Sequence, residues 1–188
     1  SSTTWNIKNT NFVDCYNGVR NPASDSVYDN VIFNYCSFSM SFQGLTGSEI
    51  RNVKSVNAPF LAQLFDKNLI NTLVGCDFSQ IQHLTAGTYL AYYTSHLYIK
   101  EEFSIRVTDP DGNALENALV ELRDKDGTLI FSELTNSSGE YDQDVTRVLD
   151  LLERFADGSK MRTITDYNPF TITISYETMK EYEGEIEI

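Results

Sequence analysis

Three turn dipeptides set the frame of the second half of this chain. Asp111-Gly112, Asp126-Gly127 and Ser138-Gly139 punctuate the stretch FSIRVTDPDGNALENALVELRDKDGTLIFSELTNSSGEY, residues 103–141. Glycine reaches positive φ without steric cost, and Asp-Gly between two alternating apolar runs is the strongest short signal of a β-hairpin. Phe103, Ile105 and Val107 alternate with polar residues, and so do Ala118, Val120 and Leu122. A period of two puts one face of a strand into a core and the other into water. The stretch therefore predicts a small antiparallel β-sandwich. Residues 145–165 carry two patterns. Val145, Val148, Leu152 and Phe155 fit a helical face, while Asp157-Gly158 and the β-branched run after it favour a hairpin, which is the expectation adopted.

The same stretch resembles the carboxypeptidase regulatory-like family, a transthyretin-like Greek-key sandwich. The resemblance rests on Val107, Asp109, Gly112, Leu115, Ala118, Val120 and Leu122, followed by Thr135, Gly139 and Tyr141. It covers roughly residues 99–188. It implies an accessory module of a secreted or cell-surface protein and points to no chemistry.

Charge separates the two halves. Residues 1–98 hold five Lys/Arg and six Asp/Glu, whereas residues 99–188 hold nine and twenty-one, and the whole chain is at −13. So acidic a half repels phosphate backbones, which argues against nucleic acid as a partner. No run of about 18 apolar residues occurs, so no membrane span is expected. Cys15, Cys36 and Cys76 are odd in number and form no CxxC pair, so they predict neither a disulfide framework nor a zinc site.

Residues 1–98 are rich in Asn, Ser and aromatics and show a loose repeat. Ile7–Phe12 aligns with Phe33–Phe38, Arg51–Val56, Leu73–Phe78 and Tyr93–Tyr98. The closing positions 12, 38, 56, 78 and 98 lie 26, 18, 22 and 20 residues apart, within the range of solenoid repeats. This half resembles the final coils of a right-handed parallel β-helix, with an irregular jelly-roll-like sandwich as the alternative. On that alignment Cys36 and Cys76 share a rung two coils apart, about 10 Å from each other. Cys15 fits no rung.

Few residues carry chemistry. His83 and His96 have no acidic partner nearby in sequence. The acids of the first half, Asp14, Asp25, Asp29, Glu49, Asp66 and Asp77, recur at no common repeat position, so the paired carboxylates of a polysaccharide-cleaving enzyme are not expected. No cofactor is expected beyond a possible calcium ion. Asp109, Asp111 and Asn113 alternate around one turn and Asp124 and Asp126 flank the next, which suits an oxygen-ligated cation. The competing reading is ordinary hairpin chemistry. Asn136-Ser137-Ser138 is a glycosylation acceptor sequence. Tyr89, Tyr92 and Tyr93 could stack on sugar rings if exposed.

The expectation is an all-β chain: a short parallel β-helix over 1–98, then an antiparallel Greek-key β-sandwich over 99–188. The expected role is that of a non-catalytic, secreted or cell-surface structural protein. Its solenoid would stack with neighbouring subunits, making a homo-oligomer, or with other surface proteins, and polysaccharide is a further possible partner. The alternative is a carbohydrate-binding or accessory piece of a larger surface or phage-tail protein.

Overall fold

A computed structural model describes residues 5–20, 27–43, 48–57, 60–64, 69–78, 81–85, 93–177 and 179–188. These residues are all-β, with no helix among them. The first ten strands are short: β1 (Asn6–Val13), β2 (Asn17–Arg20), β3 (Val27–Asn34), β4 (Phe38–Gln43), β5 (Ser48–Arg51), β6 (Val53–Val56), β7 (Phe60–Leu64), β8 (Leu69–Val74), β9 (Asp77–Phe78) and β10 (Ile81–Thr85). Then follow β11 (Tyr93–Arg106), β12 (Leu119–Arg123), β13 (Leu129–Leu134), β14 (Glu140–Arg154), β15 (Lys160–Asp166), β16 (Phe170–Tyr176) and β17 (Met179–Ile186). The chain divides into two compact units: Ser1–Lys100 with Val148–Thr165, and Glu101–Arg147 with Asp166–Ile188. Residues 148–165 thus group with the first unit and not with the second. They form a hairpin, β14 to β15, around a turn in which the Gly158 N–H bonds the Phe155 carbonyl.

Apart from that hairpin, the strands of the first unit pair in parallel. One sheet runs β1-β3-β6-β9, a second runs β10-β7-β4-β2, and a third contains β11-β8-β5. The register gives the true repeat. Phe12 lies opposite Phe33, Phe33 opposite Ser55, and Ser55 opposite Phe78. The steps are therefore 21, 22 and 23 residues. The alignment of Phe12 with Phe38 is wrong: Phe38 lies in the second sheet, opposite Asn17.

A left-handed residue marks the repeat. Asn9, Asn30 and Asn52 have φ of 49°, 50° and 52°, and Gly75 has 57°. Asparagine and glycine are the residues that enter this region most readily. Asn9 and Asn30 are neighbours in the register, and the Asn30 amide donates to Asn9 Oδ1 at 2.7 Å. The Asn52 N–H bonds the Val74 carbonyl, and the Gly75 N–H bonds the Lys100 carbonyl, 3.0 and 2.9 Å. The next residue in this series is Glu101, which is not left-handed, and β11 runs on past it to Arg106. Inside, Val31, Phe33, Val53, Leu73 and Leu97 are fully buried, and Phe12 stacks on Phe33 with ring centres 4.9 Å apart. The hairpin 148–165 adds Val148 to this core and a bidentate ion pair, in which Arg162 donates to the buried Asp150 at 2.9 and 2.7 Å.

The second unit has two layers. One is the antiparallel sheet β13-β12-β16-β17. The other comes from the adjoining strands β11 and β14. Phe103 and Val145 from the two-stranded layer pack with Val120, Leu122, Phe170 and Ile172 from the four-stranded one. The Asp126-Gly127 turn joins β12 to β13 as expected, and Ser138-Gly139 carries the chain from β13 to β14. Asp111-Gly112 does not join two strands. After an isolated bridge between Thr108 and Ala114, residues 115–118 run without strand pairing until β12 starts.

That irregular run is tied down by one side chain. The Thr135 hydroxyl donates to the Leu115 carbonyl at 2.6 Å and accepts the Ala118 N–H at 3.0 Å. Beside it, the Val107 N–H bonds the Gly139 carbonyl, and the Leu115 N–H bonds the Val107 carbonyl. Gly139 has φ of 73°, and a Cβ there would strike the Val107 carbonyl oxygen and lie 3.1 Å from the Leu115 nitrogen. Gly139→Ala is expected to cost about 3 kcal/mol or more, from strain plus a backbone clash. Thr135→Val keeps the shape but strands two buried backbone groups, at about 1–3 kcal/mol. Urea unfolding of both variants checks this, and a midpoint unchanged in either would contradict it.

Candidate binding pocket

The candidate cation ligands are engaged by their own loops. Asp109 Oδ1 accepts the N–H groups of Asp111 and Asn113, each at 2.9 Å, and Oδ2 accepts the Asn113 side-chain amide at 2.9 Å. Asp124 Oδ1 repeats the pattern with the N–H groups of Asp126 and Thr128. Asn136 Oδ1 repeats it again with Ser138 and Glu140. In each loop the glycine three residues on is left-handed and its N–H bonds the carbonyl of the Asp or Asn that starts the loop. The three loops are thus one device, a tight turn whose backbone donors are collected by a short side chain. Asp109, Asp111 and Asn113 lie in one loop and Asp124 and Asp126 in another. Among the described residues no three His, Cys, Asp or Glu side chains gather as a metal site. Asn136 is exposed, with its acceptor sequence inside the third loop.

The other sequence candidates are scattered. His96 stacks on Tyr98 on β11, ring centres 6.2 Å apart, and His83 falls in β10 opposite Ala62. Asp25, Asp66, Tyr89 and Tyr92 lie outside the described residues, and Tyr93 is placed only as the start of β11. All three cysteines are free thiols. Their expected rungs need correction. The Ser37 N–H bonds the Cys15 carbonyl, which puts Cys15 beside Cys36, whereas Cys76 follows the Gly75 bend and donates to the Ile50 and Val74 carbonyls. Burial, foremost, pushes the Cys36 thiol above its ordinary pKa, so it stays protonated at neutral pH.

The concave feature of the second unit is a cavity of about 650 Å³ against β11, β16 and β17. Period-two alternation builds its floor. Phe103 and Ile105 point inward from β11, and Ile172 and Ile174 do so from β16. On β17, opposite these, stand Tyr182 beside Ile174 and Gly184 beside Ile172. The Tyr182 ring lies over Gly184, where a Cβ would strike the phenol oxygen and lie 2.7 Å from Cζ. The missing side chain of Gly184 thereby becomes a seat for the ring. Ile186 completes the wall. Ile188 is held by Asn168, whose side-chain amide donates to the Ile188 carbonyl at 3.0 Å and accepts its N–H at 3.1 Å.

The rim is acidic. Glu101, Glu102 and Glu187 border the cavity, and Glu101 meets Arg147 at 3.4 Å. The second unit holds five Lys/Arg against eighteen Asp/Glu, a net charge of −13, while the first holds nine of each. The whole net charge of the chain therefore belongs to the unit with the cavity. The lining is thus an apolar floor under three carboxylates, with the hydroxyls of Ser104 and Tyr182 among it. The sequence reading had not singled out Ile174, Tyr182 or Ile186. The signal that marks them is the alternation 170, 172, 174 next to a strand with glycine at its centre.

No protein-family model, curated protein or solved structure matches this chain.

The loops give a pH dependence. Hydrogen bonds from the side chain and backbone of Asn113 hold the Asp109 carboxyl below its ordinary value, and those from Ser159 do the same for Asp157. A depressed folded-state pKa contributes stability above the unfolded value of about 3.8–3.9 and loses it as pH falls through the folded value. Asn136 shows that an amide oxygen can fill the same seat. Asp109→Asn should therefore fold alike but melt lower at neutral pH, with the gap to wild type closing below about pH 4. Melting curves from pH 7 to 2.5 check this, and a gap constant across that range would contradict it.

Proposed function

We propose that this chain is a non-catalytic structural protein of a secreted or cell-surface assembly. Its first unit reads best as a short parallel β-helix and its second as a transthyretin-like Greek-key sandwich. The parallel pairing of three sheets at steps of 20–26 residues supports the first reading. For the second, the support is that most of the residues carrying the resemblance serve one core, while Asp109 and Gly112 form an exposed turn. Val107, Ala118, Val120 and Leu122 are buried, Thr135 and Gly139 tie the turn, and Tyr141 packs on Phe131 with ring centres 4.9 Å apart.

The observation that carries the assembly reading is the outer edge of the first repeat. Among the described residues β1 pairs only with β3, and β2 only with β4. Among the described residues no strand lies along their far sides, and Trp5, Val13 and Tyr16 stand exposed near them. Such an edge is the template for strand addition. A neighbour stacked there makes a head-to-tail contact, which extends into a filament when it does not close. About 300 Å² of apolar surface covered in this way contributes on the order of 7 kcal/mol before the costs of association. The first unit has no net charge to oppose stacking, but each added copy brings another −13. Salt screens that repulsion, so association should strengthen as ionic strength rises.

Sedimentation velocity and negative-stain microscopy test this at low and high salt. The expected result is concentration-dependent association, larger in high salt and weakened by Ile7→Pro, which removes a strand donor. A monomer under both conditions at high concentration overturns the assembly reading.

A further inference from the structure

The edge of β11 in the second unit has an asymmetry with a chemical meaning. One side of β11 pairs with β14. The other pairs with β8, but only from Ser95 to Lys100, where β8 ends at Val74. Among the described residues, no strand lies beside Phe103–Arg106 on that side. The backbone parity is readable. The Lys100 carbonyl points to the β8 side, where it accepts the Gly75 N–H, and the Val107 N–H points the opposite way, to Gly139. Successive residues of a strand alternate, so Ser104 and Arg106 aim their backbone N–H and C=O groups at the uncovered side.

The cavity lies against this strand. The near layer of the sandwich is two strands wide and the facing sheet four, so β16 and β17 extend past what β11 and β14 can cover. Ile174 and Ile186 are only partly buried as a result, and Tyr182 is half exposed. A third strand beside β11 would close the gap. Paired along residues 101–106, it would send about every second side chain onto the cavity floor.

The charge selects the occupant. A second copy would bring another unit at −13 against a rim of Glu101, Glu102 and Glu187, and like charges at an interface are strongly disfavoured. A basic segment meets the opposite field. We propose that the uncovered edge of β11 and its cavity bind an extended peptide segment of a partner protein. That segment joins as an added strand, with apolar side chains in the cavity and lysine or arginine at the alternate positions.

Labelled synthetic peptides of about ten residues test this with the intact chain, read by fluorescence anisotropy. One alternates valine and lysine. A second replaces lysine by glutamate. Two more carry N-methyl groups on one or the other backbone edge of the valine–lysine sequence, which blocks pairing without altering the protein. The expected result is salt-sensitive binding of the valine–lysine peptide. Binding should be about tenfold or more weaker for the glutamate peptide and for one N-methylated form, with the other form near normal. Ile174→Lys, which puts a charge on the cavity floor, should weaken binding while leaving the melting temperature close to wild type, because Ile174 is already partly exposed. If that variant does not fold, the N-methyl pair still decides. Equal binding of both N-methylated forms overturns strand addition. Equal binding of the glutamate peptide overturns the basic occupant. A dimer that crosslinks in Ser104→Cys and not in the wild-type chain, which keeps its three free thiols, assigns the edge to a second copy and overturns the proposal as well.

Discussion

The first unit depends on a left-handed bend repeated in register. At Asn9, Asn30, Asn52 and Gly75 the backbone turns without breaking the hydrogen bonds on either side of it. At Asn9 and Asn30 the pairing of β1 with β3 continues through the bend, while at Asn52 and Gly75 the strands before it, β5 and β8, and those after it, β6 and β9, belong to different sheets. The inward set, Val31 and Phe33 after the bend and Leu73 before it, then follows from alternation alone. Glu101 stands where a fifth bend would fall, and the strand goes straight on.

The second unit relies on a different economy. Its turns reuse one loop, in which a short Asp or Asn side chain gathers the donors that a tight turn leaves unpaired. The loops therefore need no partner from elsewhere, and their carboxylates do structural work. The irregular run 115–118 has no such loop, and a single hydroxyl, that of Thr135, supplies the acceptor and donor that strand pairing would have provided.

Local chemistry was legible in the sequence; register was not. The turns at Asp126-Gly127, Ser138-Gly139 and Asp157-Gly158 follow from glycine and a preceding polar residue, and the alternation in 103–107 and 118–122 names the buried faces correctly. The repeat was misaligned because phenylalanines at 33 and 38 both satisfy a loose pattern, whereas the left-handed positions, mostly asparagine, carry the backbone constraint. The Cys rungs failed for the same reason. Alternating acids at Asp109 and Asp124 suit a cation and a turn equally well, and in the structure their Oδ1 atoms accept main-chain donors of their own loops. The cavity was hidden because it arises from the unequal widths of two layers, a property of strand order that no single segment records.

The division of the chain also orders its manufacture. The first unit needs residues 148–165 as well as 1–100, and the second needs 166–188 as well as 101–147. Each is interrupted by a piece of the other. A ribosome working from the N-terminus cannot release a finished first unit at residue 100, because its last hairpin is still unmade. The first unit closes only once residue 165 has been made, and the second only after that. Until then Val31, Phe33 and Leu73 on one side and Val120 and Leu122 on the other wait for their last partners. Until residue 165 is made the first unit is an incomplete set of sheets, and open strand edges of that kind are the part of a nascent chain most exposed to mispairing.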